Sequence, residues 1–207
     1  AGPPSFMGVG LLPGVGNEFS VATGVSGDGT TVVGYAINGT EYEVFKWTAG
    51  GGLTGTGVPA RAPTGAAQLI KDGPIPQVSW DGSTIVGGNM LTDQAFRWTE
   101  GGGEQTLGSL TAGSVSAATG VSGDGSVVVG FDDSNTGIRE AFRWTEGTGM
   151  VGLGFLPGGS DDSQANEISA DGSTIVGVSD STMGTQAFRW TLDEGMDPLD
   201  HSGNILG

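Results

Sequence analysis

Four aspartates share one setting in this sequence. Ser-x-Asp-Gly occurs at Ser26 to Gly29, Ser79 to Gly82, Ser122 to Gly125 and Ser169 to Gly172. A carboxylate beside a glycine can serve a calcium loop, but calcium takes six to eight oxygens from several chain positions. Each motif offers one Asp. A short Asp side chain also bonds backbone N–H groups just ahead of it, and the glycine after it tolerates positive φ. Asp28, Asp81, Asp124 and Asp171 are therefore read as turn caps. Two acidic pairs, Asp132-Asp133 and Asp161-Asp162, are read as loop carboxylates. They are the candidates for a weak calcium site if neighbouring carbonyls converge on them, and no other cofactor is expected.

Other chemistry-bearing residues are few. His201 is the one histidine, beside Asp200 and Ser202, but neighbours in sequence do not make a triad, and no nucleophile elbow is present. With no cysteine and one histidine there is no basis for a zinc site. The acids offer no distinguished pair for glycoside hydrolysis. The chain is expected not to be an enzyme. Lys46, Arg97, Arg143 and Arg189 make up four of the seven basic residues and occupy one repeated position, each between two aromatics. Such a charge needs a partner, a nearby carboxylate or backbone carbonyls, and the Asp of an adjacent hairpin turn is the candidate. Asn38 opens the sequon Asn38-Gly39-Thr40, a candidate glycan attachment in a loop. Trp80 stands where the other Ser-x-Asp-Gly copies have Gly or Ala; it is read as dispensable to the fold and as a candidate stacking platform for a sugar.

The elements that hold these residues repeat as well. Six positions after each motif Asp comes a glycine that closes a β-branched pair: Val32-Val33-Gly34, Ile85-Val86-Gly87, Val128-Val129-Gly130 and Ile175-Val176-Gly177. Further on stand Phe45-Lys46-Trp47-Thr48, Phe96-Arg97-Trp98-Thr99, Phe142-Arg143-Trp144-Thr145 and Phe188-Arg189-Trp190-Thr191, their tryptophans 51, 46 and 46 residues apart. In the third copy the pattern predicts strands at 117–122, 126–131, 140–145 and 150–155, the first two joined by a tight hairpin. Period-2 alternation puts the Phe and Trp of each aromatic strand on one face: Phe45 and Trp47, Phe96 and Trp98, Phe142 and Trp144, Phe188 and Trp190. These eight are the expected repeat core, each pair hidden against the next module.

The expected organisation is an orphan strand-like segment at 1–14, then repeats at 15–57, 58–110, 111–158 and 159–207, with a Pro-rich insert at 58–76. The second copy carries Ile75-Pro76-Gln77 in place of the Ala-x-Gly lead-in seen at Ala22 and Ala118. Residues 7–14 look like residues 151–158, which suggests an unaccompanied strand free to pair with another repeat or with an identical subunit. The fold class is all-β: four tandem four-stranded repeats of about 46 residues. A blade of a β-propeller has this size, and a β-solenoid is the alternative.

Composition narrows the partners. Forty-two glycines accompany an apolar share of 36%, grouped into short β-branched runs, which indicates folded β structure. A net charge of −16 is wrong for phosphate backbones and for anionic lipid surfaces. No apolar stretch reaches the roughly 18 residues of a membrane span, and the opening AGPPSFMG has no signal-peptide pattern. Any signal peptide is expected to be gone already or to lie outside this segment. The absence of cysteine leaves the redox compartment open.

The string running from VSGDGSVVVG through Ala141-Phe142-Arg143-Trp144 to ADGSTIVG resembles the HAF-type extracellular repeat, best in the third and fourth copies. The first copy departs from it at Val44 and Lys46. The resemblance implies a bacterial secreted or cell-surface protein and supplies no catalytic residues. The expected role is a scaffold that contacts neighbouring repeats or identical subunits, and forms a fibre through strand sharing. A carbohydrate-binding module is the alternative.

Overall fold

Each Ser-x-Asp-Gly motif folds into the same hairpin turn in the computed structural model, which describes residues 8–12, 19–38, 41–60 and 75–199. The motif glycines Gly29, Gly82, Gly125 and Gly172 all sit at φ between +72° and +73°, a region that side chains with a Cβ rarely enter. Strands flank every turn.

The first sheet is an up-and-down meander of β1 (Ser20–Val25), β2 (Thr31–Asn38), β3 (Glu41–Thr48) and β4 (Gly52–Pro59). The second repeats the order with β5 (Gln77–Val78), β6 (Thr84–Asn89), β7 (Gln94–Thr99) and β8 (Gly103–Thr106). Its first strand is only two residues long. The preceding Pro76 has no N–H to offer a ladder, and its carbonyl instead accepts the Thr23 hydroxyl at 2.6 Å.

The third set is β9 (Val115–Val121), β10 (Val127–Asp133), β11 (Arg139–Thr145) and β12 (Gly149–Gly152). The fourth is β13 (Gly158–Ile168), β14 (Thr174–Ser181), β15 (Gly184–Thr191) and β16 (Gly195–Pro198). A parallel pairing of Arg139 with Asp162 joins β11 to β13, so these two sets count as one eight-stranded sheet. The architecture is thus all-β, with four four-stranded repeats. Among the described residues no sheet closes into a barrel or curls into the coils of a solenoid.

The closing glycine of each repeat has a steric cause. A bulge in the first strand brings its carbonyl over the second: a Cβ on Gly34 would lie 1.9 Å from the Val21 oxygen, and one on Gly130 2.0 Å from the Ala117 oxygen. On Gly177 it would meet the Gln164 oxygen at 2.0 Å and the Phe188 ring at 2.8 Å.

Alternation then gives every sheet two different sides. Phe45, Phe96, Phe142 and Phe188 are fully buried. Phe96 and Trp98 pack on Val33 and Val44 of the first sheet, Phe142 and Trp144 on Val86 and Ala95 of the second, Phe188 and Trp190 on Val129 and Ala141 of the third. The aromatic side of the second, third and fourth sheets therefore covers the small-residue side of the sheet before it. The expectation that it covers the following module has the direction reversed: strand-to-strand links such as 107–114 fold each new sheet back onto its predecessor's Val/Ala side.

A serine at the start of the third and fourth sheets completes the seam. Ser116 Oγ accepts the Ala95 N–H at 2.9 Å and donates to the Gly108 carbonyl at 2.7 Å. Ser163 Oγ does the same between the Ala141 N–H at 2.9 Å and the Gly154 carbonyl at 2.8 Å. First strands follow one another, β5 beside β1, β9 beside β5 and β13 beside β9.

The described part of the expected orphan strand, residues 8–12, pairs with no ladder. Its likeness to residues 151–158 is to the link after β12 rather than to a strand: Leu12 and Val9 pack on Phe45 as Leu156 and Leu153 pack on Phe188. Most of the Pro-rich insert, 61–74, and His201 lie outside the described residues; β4 occupies its first two positions, Val58 and Pro59.

Candidate functional site

The four turns form a row at one end of the sheets. Gly27 N–H donates to the Trp80 carbonyl at 2.8 Å, Asp81 N–H to the Gly123 carbonyl at 3.0 Å, and Gly123 N–H to the Ala170 carbonyl at 2.8 Å. Gly27, Trp80, Gly123 and Ala170 are the variable second positions of the four motifs. A backbone thread thus runs from the first repeat to the last.

Within each turn the serine and the aspartate act as a pair. Ser122 Oγ accepts the Val127 N–H at 2.9 Å and donates to Asp124 Oδ1 at 2.8 Å, which also accepts the Ser126 N–H at 3.0 Å. The same three bonds recur at Ser26–Asp28, Ser79–Asp81 and Ser169–Asp171. The motif serines were not singled out from sequence, although their presence in every copy was the available signal.

These bonds all favour the ionised carboxylate. The Ser126 N–H and then the Ser126 and Ser122 hydroxyls bring Asp124 down to about 2, and the Ser169 hydroxyl followed by the Ser173 N–H does the same for Asp171. The Thr30 N–H holds Asp28 below the usual carboxylate value. At Asp81 burial pulls upward most strongly, yet the Ser79 hydroxyl and the Ser83 N–H leave it lowered. Groups so firmly ionised are unsuited to donating protons near neutrality.

Three of the repeated cations find a carboxylate or a backbone carbonyl, as expected, but not the candidate turn aspartate. Lys46 Nζ reaches Glu100 at 2.8 Å, and Arg97 Nε donates to the Gly125 carbonyl at 3.2 Å, both in the following repeat. Arg189 turns back to Glu194 of its own repeat at 2.5 Å. Arg143 Nε is buried without a hydrogen-bond partner. None of the pairings shown uses a turn aspartate, because each Oδ1 already serves its own serine and N–H.

The two acidic pairs lie in strands rather than loops. Asp132 is buried in β10, where its Oδ2 accepts the Leu110 N–H at 3.0 Å. Asp133 and Asp162 come together around Arg139: Asp133 is 3.0 Å from its guanidinium, and Asp162 is its partner in the parallel pairing. Burial raises Asp162, Arg139 opposes, and the charges of Asp180 and Asp133 add to the rise. Arg139 also stacks on Phe131, its Cζ 4.8 Å from the ring centre. A guanidinium thus stands where the two pairs converge. Among the described residues no group of three or more His, Asp or Glu side chains is arranged to hold a metal.

Trp80 is 67% exposed in the row of turns. Its indole lies on the bare Cα of Gly27, where a Cβ would come within 2.0 Å of the ring. It therefore packs on the first repeat and is not idle in the fold. Asn38 ends β2 paired with Glu41; its side chain and the rest of the sequon lie outside the described residues.

No family model matches the chain, and no curated protein matches it. Solved structures do. TolB from Acinetobacter baumannii is similar over 86% of this chain and 43% of that one, at 14% identity and a TM-score of 0.57. A TolB from Agrobacterium tumefaciens is similar over 87% of this chain and 61% of that one, at 16% identity and a TM-score of 0.55. A puromycin hydrolase complexed with PGG is similar over 90% of this chain and 29% of that one, at 12% identity and a TM-score of 0.59. This chain spans less than two thirds of each. At such identities the likeness is one of fold alone, and none of these names passes to this chain. No described helix is long and apolar enough to cross a membrane.

Proposed function

We propose that the chain is a non-catalytic scaffold of a bacterial secreted or cell-surface protein. Its four sheets are the blades of a propeller-like array, which associates with identical subunits through its ends. One observation carries the reading: side chains that could do chemistry are spent on turns and seams. Ser122 and Asp124 close a hairpin, Ser116 and Ser163 staple successive sheets, and Arg139 neutralises Asp133 beside Asp162. A net charge of −16 supports it by disfavouring nucleic acid and anionic membranes. The placement outside the cell rests on the resemblance around Ala141-Phe142-Arg143-Trp144. Antibody labelling of intact cells and assay of the culture medium test it. Recovery on the surface or in the medium supports the reading, and recovery only in the cytosol overturns it.

Trp80 favours a second reading, a carbohydrate-binding module. An exposed indole held flat against Gly27 is a rigid platform on which a sugar ring can stack. A glycan array decides between the two. Binding that disappears in Trp80→Ala supports this second reading, and no binding, or binding unchanged in that variant, removes it.

A further inference from the structure

Comparison of the four repeats position by position shows two flanks that lack what the inner seams have. On the small-residue side, Val33, Val86 and Val129 are fully buried by the following sheet, whereas Val176 is 40% exposed. The neighbouring strand agrees: Val44, Ala95 and Ala141 are buried, and Ala187 is exposed. On the aromatic side, Val121 and Ile168 are buried by the preceding sheet, whereas their counterpart Val25 is 61% exposed. Val32 is likewise less covered than Ile85, Val128 and Ile175.

The polar groups divide in the same way. In the second and third seams a serine hydroxyl accepts an alanine N–H from the sheet before and donates to a link carbonyl. Ser20 occupies that serine's place in the first repeat and makes only the donor half, to the Gly10 carbonyl at 2.9 Å. Among the described residues no strand N–H meets its oxygen. Ala187 occupies the alanine's place in the fourth repeat, and among the described residues no serine hydroxyl meets its N–H. Arg189, which meets no following sheet among the described residues, folds back on Glu194, whereas Lys46 and Arg97 reach forward. The missing donor and the missing acceptor of one recurring bond therefore sit at opposite ends of the same chain. They do not meet within it, since the described first strand β1 and the first strand β13 of the last sheet do not adjoin as their predecessors do.

We infer that the Val176–Ala187–Arg189 flank of one copy receives the Ser20–Val25–Trp47 flank of a second copy, head to tail, rebuilding the inner seam between chains. Residues 9–12 already sit on Phe45 as the link residues Leu153 and Leu156 sit on Phe188, so the incoming flank carries its own share of the seam. The contact is heterologous, so it either closes a ring or extends as a filament. This rests on the scaffold reading and specifies its partner. With a net charge of −16 on each copy, association strengthens as salt rises.

The test is sedimentation of the wild type, Val176→Arg and Val25→Arg over a range of concentrations, at ionic strengths of about 0.15 M and above. Both positions are exposed, and unchanged melting of each variant shows that it folds. The expected result is concentration-dependent association of the wild type. Each variant alone weakens it by a factor of about 100 or more, and a mixture of the two variants forms dimers, because each retains the flank that the other lacks. A wild type that stays monomeric throughout, or an assembly unaffected by both changes, overturns the inference. A monomer found on the cell surface would remove this inference alone. A head-to-tail assembly confined to the cytosol would remove the scaffold's location and leave this contact standing.

Discussion

Arg97 Nε donates to the carbonyl oxygen of Gly125 across the seam between the second and third repeats, at 3.2 Å. The equivalent atom of Arg143, one repeat further on, is buried with no partner. Two residues of one type at one repeat position thus stand in opposite energetic situations. Arg97→Met strands a buried carbonyl and is expected to cost about 1–3 kcal/mol. Arg143→Met removes an uncompensated polar group and is expected to be neutral or stabilising. Paired denaturant titrations check this, and equal losses in both variants would count against it.

The lowered turn aspartates make the stability of the fold depend on pH at the acid end. Asp124 and Asp171 stand at about 2, against an ordinary value of 3.8. Between those values the unfolded chain binds more protons than the native one, so stability rises with pH there. Their contribution is complete above pH 3.8 and fades as pH falls through about 2. Thermal melts are expected to fall steeply across that window, and Asp124→Asn combined with Asp171→Asn to flatten the slope.

Gly177→Ala is expected to destabilise by about 1–3 kcal/mol or more, because the new methyl meets a backbone carbonyl that cannot yield. Gly147→Ala is the control: open space surrounds it, and its effect stays within about 0.5 kcal/mol. Equal stability of the two variants would remove the steric account of the closing glycine.

Calcium is expected to leave the melting temperature within about 1 °C of that in chelator, since bound ligand would raise it and Arg139 already occupies the meeting point of Asp133 and Asp162. In Arg139→Gln the two acids lose that cation, and calcium at millimolar levels is expected to stabilise the variant. A wild type that responds as the variant does would show that the guanidinium is not the filling cation.

Much of the local fold was legible because it rests on period and turn chemistry. The strands expected at 126–131 and 140–145 are β10 and β11, which run from Val127 to Asp133 and from Arg139 to Thr145. The turn at Asp124 follows from an Asp–Gly pair whose local bonds need no distant partner. What was not legible depends on contacts far apart in sequence. Nothing local shows that Phe142 packs backward onto Ala95, or which of the two expected partner types, carboxylate or carbonyl, Arg97 finds. Leu12 is ambiguous for the same reason: a link and a strand share its residues, and packing on Phe45 decides which it is. Trp80 looks dispensable in the sequence because the void above Gly27 is visible only in three dimensions.

The two unlike sides of every sheet have a consequence for how such a chain can change length. Since each unit offers one kind of surface upstream and its complement downstream, a duplicated or deleted unit leaves its neighbours with a matching joint. A unit inserted in reverse would set aromatic rings against aromatic rings. Gain or loss of whole in-frame copies is therefore structurally cheap, whereas the order of sides within a copy is held fixed.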